Sequence, residues 1–319
     1  MLYTKLDGID KAASRLVYGT TDAASQGRLE EAFDQYEAAY GYGFRIFDTA
    51  NGYGKGEDTL GRWLEKSGHR DDVIILDKGC NPCTDYTEPD EFSAETIFSQ
   101  INRSLDNLRT DHVELYLLHR DDTSRPVDEI VEALNRLHSE GKIKHFGGSN
   151  WSLKRIMEAN NYAEKHGLQK FTICSPHFSY ARLVRDPWGA SITLTGDDNR
   201  PFRDYLRDNQ MPVFNYSSLA RGFLSGKYKS DSSIPIEQCI GRAPIEEYYA
   251  PENVRRLERA EKISGEIGAT VPQIAMAWLM KQSMNLFPLT SPSGEKHVKE
   301  VVDALDIELT AEQLRYLDS

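Results

Sequence analysis

Val113-Glu114-Leu115-Tyr116-Leu117-Leu118-His119 is a strand-length apolar run that ends in an ionisable side chain. Two upstream runs have the same form. Phe44-Arg45-Ile46-Phe47-Asp48 ends in a carboxylate, and Val73-Ile74-Ile75-Leu76-Asp77-Lys78 ends in a lysine. The segments between them have helical spacing. Ala94 to Leu108 places Ile97, Ile101, Leu105 and Leu108 on one face, and Leu29 to Tyr40, Gly56 to Lys66 and Val127 to His138 read as further helices.

The alternation continues in both directions. Arg15 to Thr20 reads as a first strand. Ile143 to Ser149, Phe171 to Cys174, Pro212 to Tyr216 and Met284 to Leu289 read as strands five to eight. A helix at Leu153 to His166 follows the fifth strand. Helices at Glu252 to Ile267 and Val271 to Lys281 precede the eighth, and two at Glu295 to Leu305 and Thr310 to Leu317 follow it. Eight β-α units predict the α/β class and a (β/α)8 TIM barrel, with residues 1–319 as a single domain. An open doubly wound sheet is the alternative, but no Gly-x-Gly-x-x-Gly follows the first strand. The stretch from Arg185 to Pro201 is long and irregular, the form of a binding or lid loop.

Composition narrows the partners. The net charge of −12 repels a phosphate backbone, so nucleic acid is excluded as a partner. The N-terminus has no apolar signal core and the apolar runs are strand-length, so neither secretion nor a membrane span is expected. Four cysteines do not make a disulfide scaffold, and the reducing cytoplasm is the expected compartment.

In a β/α barrel the C-terminal strand ends face one pocket, so Asp48, Lys78 and His119 should converge there. Tyr53 joins them from the turn Asn51-Gly52-Tyr53-Gly54. Hydride reduction of a carbonyl leaves negative charge on oxygen, so such a site must also deliver a proton. A tyrosine can deliver it if a neighbouring ammonium lowers its pKa, which is the role expected of Lys78. Asp48 would hold Lys78 protonated, and His119 would orient the substrate oxygen.

Five segments then carry a resemblance. Gly43-Phe44-Arg45-Ile46-Phe47-Asp48-Thr49-Ala50 with Tyr53-Gly54, Glu57 and Gly61 is one, and Lys78 and Leu118-His119 follow at fitting distances. Gly147-Gly148-Ser149-Asn150-Trp151 and Tyr216-Ser217-Ser218-Leu219-Ala220-Arg221-Gly222 complete the set. In this order they resemble the aldo-keto reductase family over nearly the whole chain. The resemblance implies an enzyme that reduces a small-molecule carbonyl with a nicotinamide cofactor. It implies that Asp48, Tyr53, Lys78 and His119 are catalytic and that Ser149 and Asn150 bind the nicotinamide carboxamide. Tyr216 would stack on the nicotinamide ring, and Ser217, Leu219 and Arg221 would lie along the pyrophosphate. By their residue types, Ser149 and Asn150 could equally cap the helix that starts near Leu153.

Two places depart from the family pattern. After the sixth strand, Ser175 stands where an amide side chain is usual, and it is carried as a cofactor residue. After the eighth, Ser291 stands where a lysine or glycine is common and Ser293 near where an arginine or serine is common, with Lys296, His297 and Lys299 close by. NADP(H) is the cofactor that the resemblance implies. The sparse cations leave NAD(H) open, and with it a sugar or polyol dehydrogenase working toward oxidation. A cofactor-sensing interaction subunit and a Lys78 Schiff-base aldolase are further alternatives. Cys80-Asn81-Pro82-Cys83, with Cys174 and His177, has the residue types of a redox pair or zinc site. Strands three and six lie across a packed barrel, however, so these are read as loop or pocket residues. Arg120 and Asp121 are expected at the pocket rim, with Trp151, Trp188 and Phe223 as candidate pocket aromatics.

Overall fold

The computed structural model describes residues 1–82 and 92–319. A hairpin of β1 (Tyr3–Leu6) and β2 (Ile9–Ser14) precedes the barrel. The barrel strands are β3 (Val17–Gly19), β4 (Ile46–Asp48), β5 (Ile74–Gly79), β6 (Val113–Leu118), β7 (Ile143–Ser149), β8 (Ile173–Ser175) and β9 (Leu289–Thr290). All pair in parallel in the order β8-β7-β6-β5-β4-β3-β9. Val213 closes the ring by bridging Cys174 on one side and Leu286 on the other. Phe287 N–H donates to Val213 O at 2.8 Å, and Phe214 N–H donates to Cys174 O at 2.8 Å. The expected seventh strand is thus reduced to isolated bridges, and Pro212 at its start has no N–H to give.

Around the ring lie α1 (Leu29–Gly41), α2 (Gly56–Ser67), α3 (Ala94–Leu108), α4 (Asp128–Ser139), α5 (Leu153–His166) and α6 (Arg200–Asn209). They are followed by α7 (Ile236–Cys239), α8 (Arg242–Tyr248), α9 (Pro251–Ile267), α10 (Val271–Met280), α11 (Glu295–Asp303) and α12 (Ala311–Asp318). The sequence reading overlooked α6, α7 and α8. It also extended the irregular loop to Pro201, where α6 has in fact begun with that proline in its first turn, a position that needs no N–H. Ser152, whose Oγ accepts from Arg155 N–H, caps α5, so Ser149 and Asn150 do not serve as its cap. No helix among the described residues is long and apolar enough to cross a membrane.

The strand sequences explain the two layers of core. Ile74 and Leu76 point into the barrel with Ile46, Leu115 and Leu117, while Val73, Ile75 and Tyr116 face the helices. With a period of two, Asp48, Lys78 and His119 continue the inward columns and surface at the mouth.

The hairpin was also missed, although Asp7-Gly8 is a strong two-residue turn signal and Gly8 takes φ +68°. It stops the base of the barrel. Leu6, Ile9 and Ala13 join the inner cluster. Lys11 Nζ donates to Arg70 O and Val73 O, both at 2.8 Å, and to Glu114 Oε1 at 2.7 Å. Glu114 is fully buried on β6 and also accepts from Arg70 and from Ile75 N–H, each at 2.9 Å. Burial pushes its carboxyl up, but His112, Arg70 and Lys11 outweigh that and hold it down to about 2. The stability this group contributes is therefore present above the ordinary carboxyl range and is lost as pH falls toward the folded value. Glu114→Gln should lower the unfolding free energy by about 3 kcal/mol near neutrality, as expected when one partner of a buried ionic cluster is removed. The deficit should shrink below about pH 4.5, read by urea denaturation at a series of pH values.

Candidate functional site

A cavity of about 770 Å³ opens at the mouth of the barrel. Asp48, Lys78 and His119 reach it from the ends of β4, β5 and β6, and Tyr53 from the turn before α2. Lys78 and Asp48 are both buried and form an ion pair through Lys78 Nζ and Asp48 Oδ1. The ammonium also donates to Thr49 O at 3.1 Å and lies 4.9 Å from the centre of the Tyr53 ring. Burial would favour neutral lysine, but the charges of Asp48 and Tyr53 reverse it and hold Lys78 above its ordinary pKa.

Tyr53 departs from the simplest expectation. Burial of its phenol outweighs the pull of Lys78, so its pKa lies above the ordinary value rather than below it. The tyrosine ring is still half-buried and packs edge-on against His119 at 5.6 Å between centres. His119 is held neutral, well below its ordinary pKa, by burial and then by the charges of Lys78 and Arg120. The Asn81 amide donates to His119 Nδ1 at 3.4 Å, which leaves the ring proton on Nε2.

Behind Lys78 is a feature that the sequence did not announce. Asp77 faces outward from β5, fully buried, with no hydrogen-bond partner on either carboxylate oxygen. Glu57 of α2 is also buried; it accepts from Ser104 Oγ at 2.7 Å and from Asn107 Nδ2 at 2.8 Å. Burial, then the charge of Glu57, holds Asp77 well above its ordinary 3.8 and keeps it protonated. The folded state thus holds a proton that the unfolded chain releases, and folding stability declines as pH rises from about 4 through the folded value. Asp77→Asn keeps the shape of the protonated acid. Its melting temperature should exceed that of wild type at about pH 8, and the gain should narrow toward pH 4, as read by calorimetry. An equal melting temperature across that range would contradict the protonated assignment.

The cavity continues from this group past Ser149 and Asn150 to Tyr216. Asn150 has φ +59° and accepts from Tyr216 O–H at 2.7 Å and Ile192 N–H at 3.2 Å. Ser149 Oγ donates to Ser175 O at 3.0 Å. Ser175 itself is fully buried beneath them and does not line the cavity. Ser217, Leu219 and Arg221 line the next stretch, where Ser217, Ala220 and Arg221 all take positive φ. Arg221 forms an ion pair with Glu247 of α8. Ser291, Ser293 and His297 line the cavity beside the start of α11. Gly19 permits Ser291 to approach, since a Cβ there would fall 2.6 Å from its hydroxyl. Lys227 also lines the cavity and was not singled out from sequence.

This donor set suits a dinucleotide: hydroxyls for ribose and phosphate, cations at Arg221 and Lys227, the imidazole of His297, and the aromatic Tyr216. Of the candidate aromatics, only Trp188 lines the cavity. Trp151 is buried beneath Gly148, and Phe223 is fully buried. Trp188 comes from the loop after β8, which is organised by Asp186. That carboxylate accepts from Trp188 N–H at 3.0 Å, Ser191 N–H at 2.7 Å and Ser191 Oγ at 2.6 Å. Arg120 lines the cavity as expected, whereas Asp121 turns away to bind Arg155 at 3.0 Å. Cys80 and Cys174 are buried, and Cys83 lies outside the described residues. Both His177 nitrogens meet hydroxyls, of Thr193 at 2.9 Å and Tyr248 at 3.0 Å. Among the described residues no three His, Cys, Asp or Glu side chains are placed to hold a metal.

Comparison with known proteins agrees with this geometry. The sequence pattern of the Aldo/keto reductase family matches residues 15–319. An uncharacterized oxidoreductase, YrpG, of Bacillus subtilis is 28% identical over 100% of this chain and 95% of its own. The aryl-alcohol dehydrogenase [NADP(+)] of Phanerodontia chrysosporium is 25% identical over 94% of this chain and 77% of its own. The glycerol dehydrogenase AKR11B4 of Gluconobacter oxydans superposes with a TM-score of 0.79 at 22% identity, covering 99% of this chain and 94% of that one.

Proposed function

The chain belongs to the aldo/keto reductase family and is an NAD(P)H-dependent oxidoreductase, and from that premise we propose that it reduces small polar or sugar-like aldehydes and ketones with Tyr53 as the proton donor. The observation that carries this reading is the buried Lys78–Asp48 pair beside Tyr53, with a neutral His119 facing the same tyrosine. When bound, the nicotinamide cofactor supplies the hydride. The protein's own residues do the rest. His119 Nε2–H donates to the carbonyl oxygen and holds it beside Tyr53. Tyr53 O–H gives its proton to that oxygen as charge develops there. Lys78, kept charged by Asp48, stabilises the phenolate left behind.

Ser149 and Asn150 are assigned to the carboxamide and Tyr216 to the ring of the cofactor. Ser217, Leu219 and Arg221 are assigned to its pyrophosphate, and Ser291, Ser293 and His297 to its far end. Ser175 supports Ser149 from below. NADP(H) is the proposed cofactor; Lys227 offers a cation and His297 a ring N–H to a further phosphate, and a relative carries NADP(+) in its name. The cytoplasm is the proposed compartment.

Tyr53→Phe should reduce carbonyl turnover by at least about 100-fold, the usual scale for one general acid, while NADPH still quenches protein fluorescence with nearly unchanged affinity. Full turnover in that variant would refute the assignment. The raised Tyr53 pKa also has a sign. The phenol is protonated throughout the neutral range, so reduction should be level there and fall only at alkaline pH. Alcohol oxidation needs the phenolate and should rise over the same alkaline range, as stopped-time assays in both directions would show.

A further inference from the structure

The carbonyl-reducing reading leaves one buried charged group of the cavity without a task. Arg120 follows His119 directly, lines the cavity and is 6% exposed. Its backbone is fixed by Trp151, whose indole N–H donates to Arg120 O at 2.8 Å. Its guanidinium lies 5.8 Å from the centre of the Trp188 ring, acts electrostatically on Tyr53 and His119, and has the Tyr216 hydroxyl as a hydrogen-bonding neighbour.

The carboxylates around it are committed elsewhere. Asp121 binds Arg155, Asp48 binds Lys78, and Glu247 binds Arg221. Asp186 is engaged by the Trp188 and Ser191 amides and the Ser191 hydroxyl. Among the described residues Arg120 has no ion pair, and its Nε is buried without a hydrogen-bond partner. A buried cation without a counter-charge is costly, and a loose aromatic contact and a neutral tyrosine hydroxyl offset only part of that cost. The partner that would complete the site is therefore an anion that enters through the mouth.

We propose that Arg120 binds an anionic group of the substrate, so that the enzyme selects aldehydes or ketones bearing a carboxylate or phosphate near the carbonyl. This rests on the carbonyl-reductase reading above, because His119 fixes where the carbonyl sits and its chain neighbour Arg120 then reaches the adjoining substituent. A guanidinium fork matches either oxyanion with two parallel hydrogen bonds. Trp188 supplies an aromatic wall beside the guanidinium. In a chain of net charge −12, a cationic mouth also concentrates anionic substrates against the background of the surface.

The test compares 4-carboxybenzaldehyde with its neutral methyl ester, in wild type, Arg120→Ala and Arg120→Lys. Wild type should prefer the carboxylate. Arg120→Ala should erase that preference by about 10- to 100-fold in the ratio of kcat/KM values, mostly through KM, which is the scale of one lost charged contact. Arg120→Lys should restore part of it, since the charge returns without the fork. Glyceraldehyde 3-phosphate against glyceraldehyde separates the two anion sources. A preference confined to that pair assigns phosphate, and one confined to the benzaldehydes assigns carboxylate.

Equal loss for charged and neutral probes would mean that Arg120 only packs against Trp188, and would overturn the proposal. So would a loss of NADPH affinity in Arg120→Ala as large as the loss for the anionic probe, because the anion would then be the cofactor's. If neither aldehyde is reduced, the reductase reading itself fails, and benzoate binding measured by calorimetry decides Arg120 alone. Binding at least about tenfold weaker in Arg120→Ala supports the anion site, and equal binding overturns it.

Discussion

The hydrogen bonds across Val213 and from β9 to β3 join the last strand of the barrel to the first. Closure puts every strand on one curved surface with its C-terminal end at one rim, and the site depends on that. Asp48, Lys78 and His119 come from strands separated in sequence, yet each sits atop an inward column of Ile and Leu. Their burial follows from the same geometry. An ammonium and a carboxylate so deep in the mouth are tolerable only as a pair, so the fold that gathers them also obliges them to bind each other.

Much of this was legible in advance because strand ends and side-chain parity are local properties. Runs such as Val113–Leu118 carry their own signal, and a period of two decides which of Asp77 and Lys78 enters the mouth. What escaped the sequence depends on contacts between distant segments. The hairpin that stops the base has a turn signal in Asp7-Gly8, but its purpose emerges only when Lys11 meets Glu114. Val213 pairs through isolated bridges on its two sides because its neighbours, not its own residue type, set the ladder. The direction of the Tyr53 pKa was misjudged for a related reason. A lysine nearby can be read from spacing, whereas the depth of burial that outweighs it cannot. Ser175 fell in the right column but beneath the residues that form the surface.

Charge at the mouth divides into three kinds. Lys78 is matched inside the protein, and its task is to remain charged. Arg221 is matched by Glu247, which ties the stretch from Ser217 to Arg221 to α8. Arg120 has no such match, and the contrast gives it meaning. Buried Lys78 is neutralised within the framework, and Arg120 is the buried cation for which an anion from outside is proposed. Asp77 behind β5 follows the complementary rule: burial and the nearby Glu57 outweigh the pull of Lys78 and hold its carboxyl well above the ordinary range.

The loop that carries Trp188 turns the cavity into an optical instrument. Three of the four tryptophans, Trp63, Trp151 and Trp278, are sealed in packed surroundings at 1%, 1% and 6% exposure. Trp188 alone stands at the opening, 39% exposed and edge-on to Tyr216 at 6.1 Å. Its emission is the one that water can tune, and the one that a molecule settling into the mouth would shield or quench. The protein therefore carries, without any label, one tryptophan whose surroundings change when the mouth is filled, set against three whose immediate surroundings are fixed by the packed barrel.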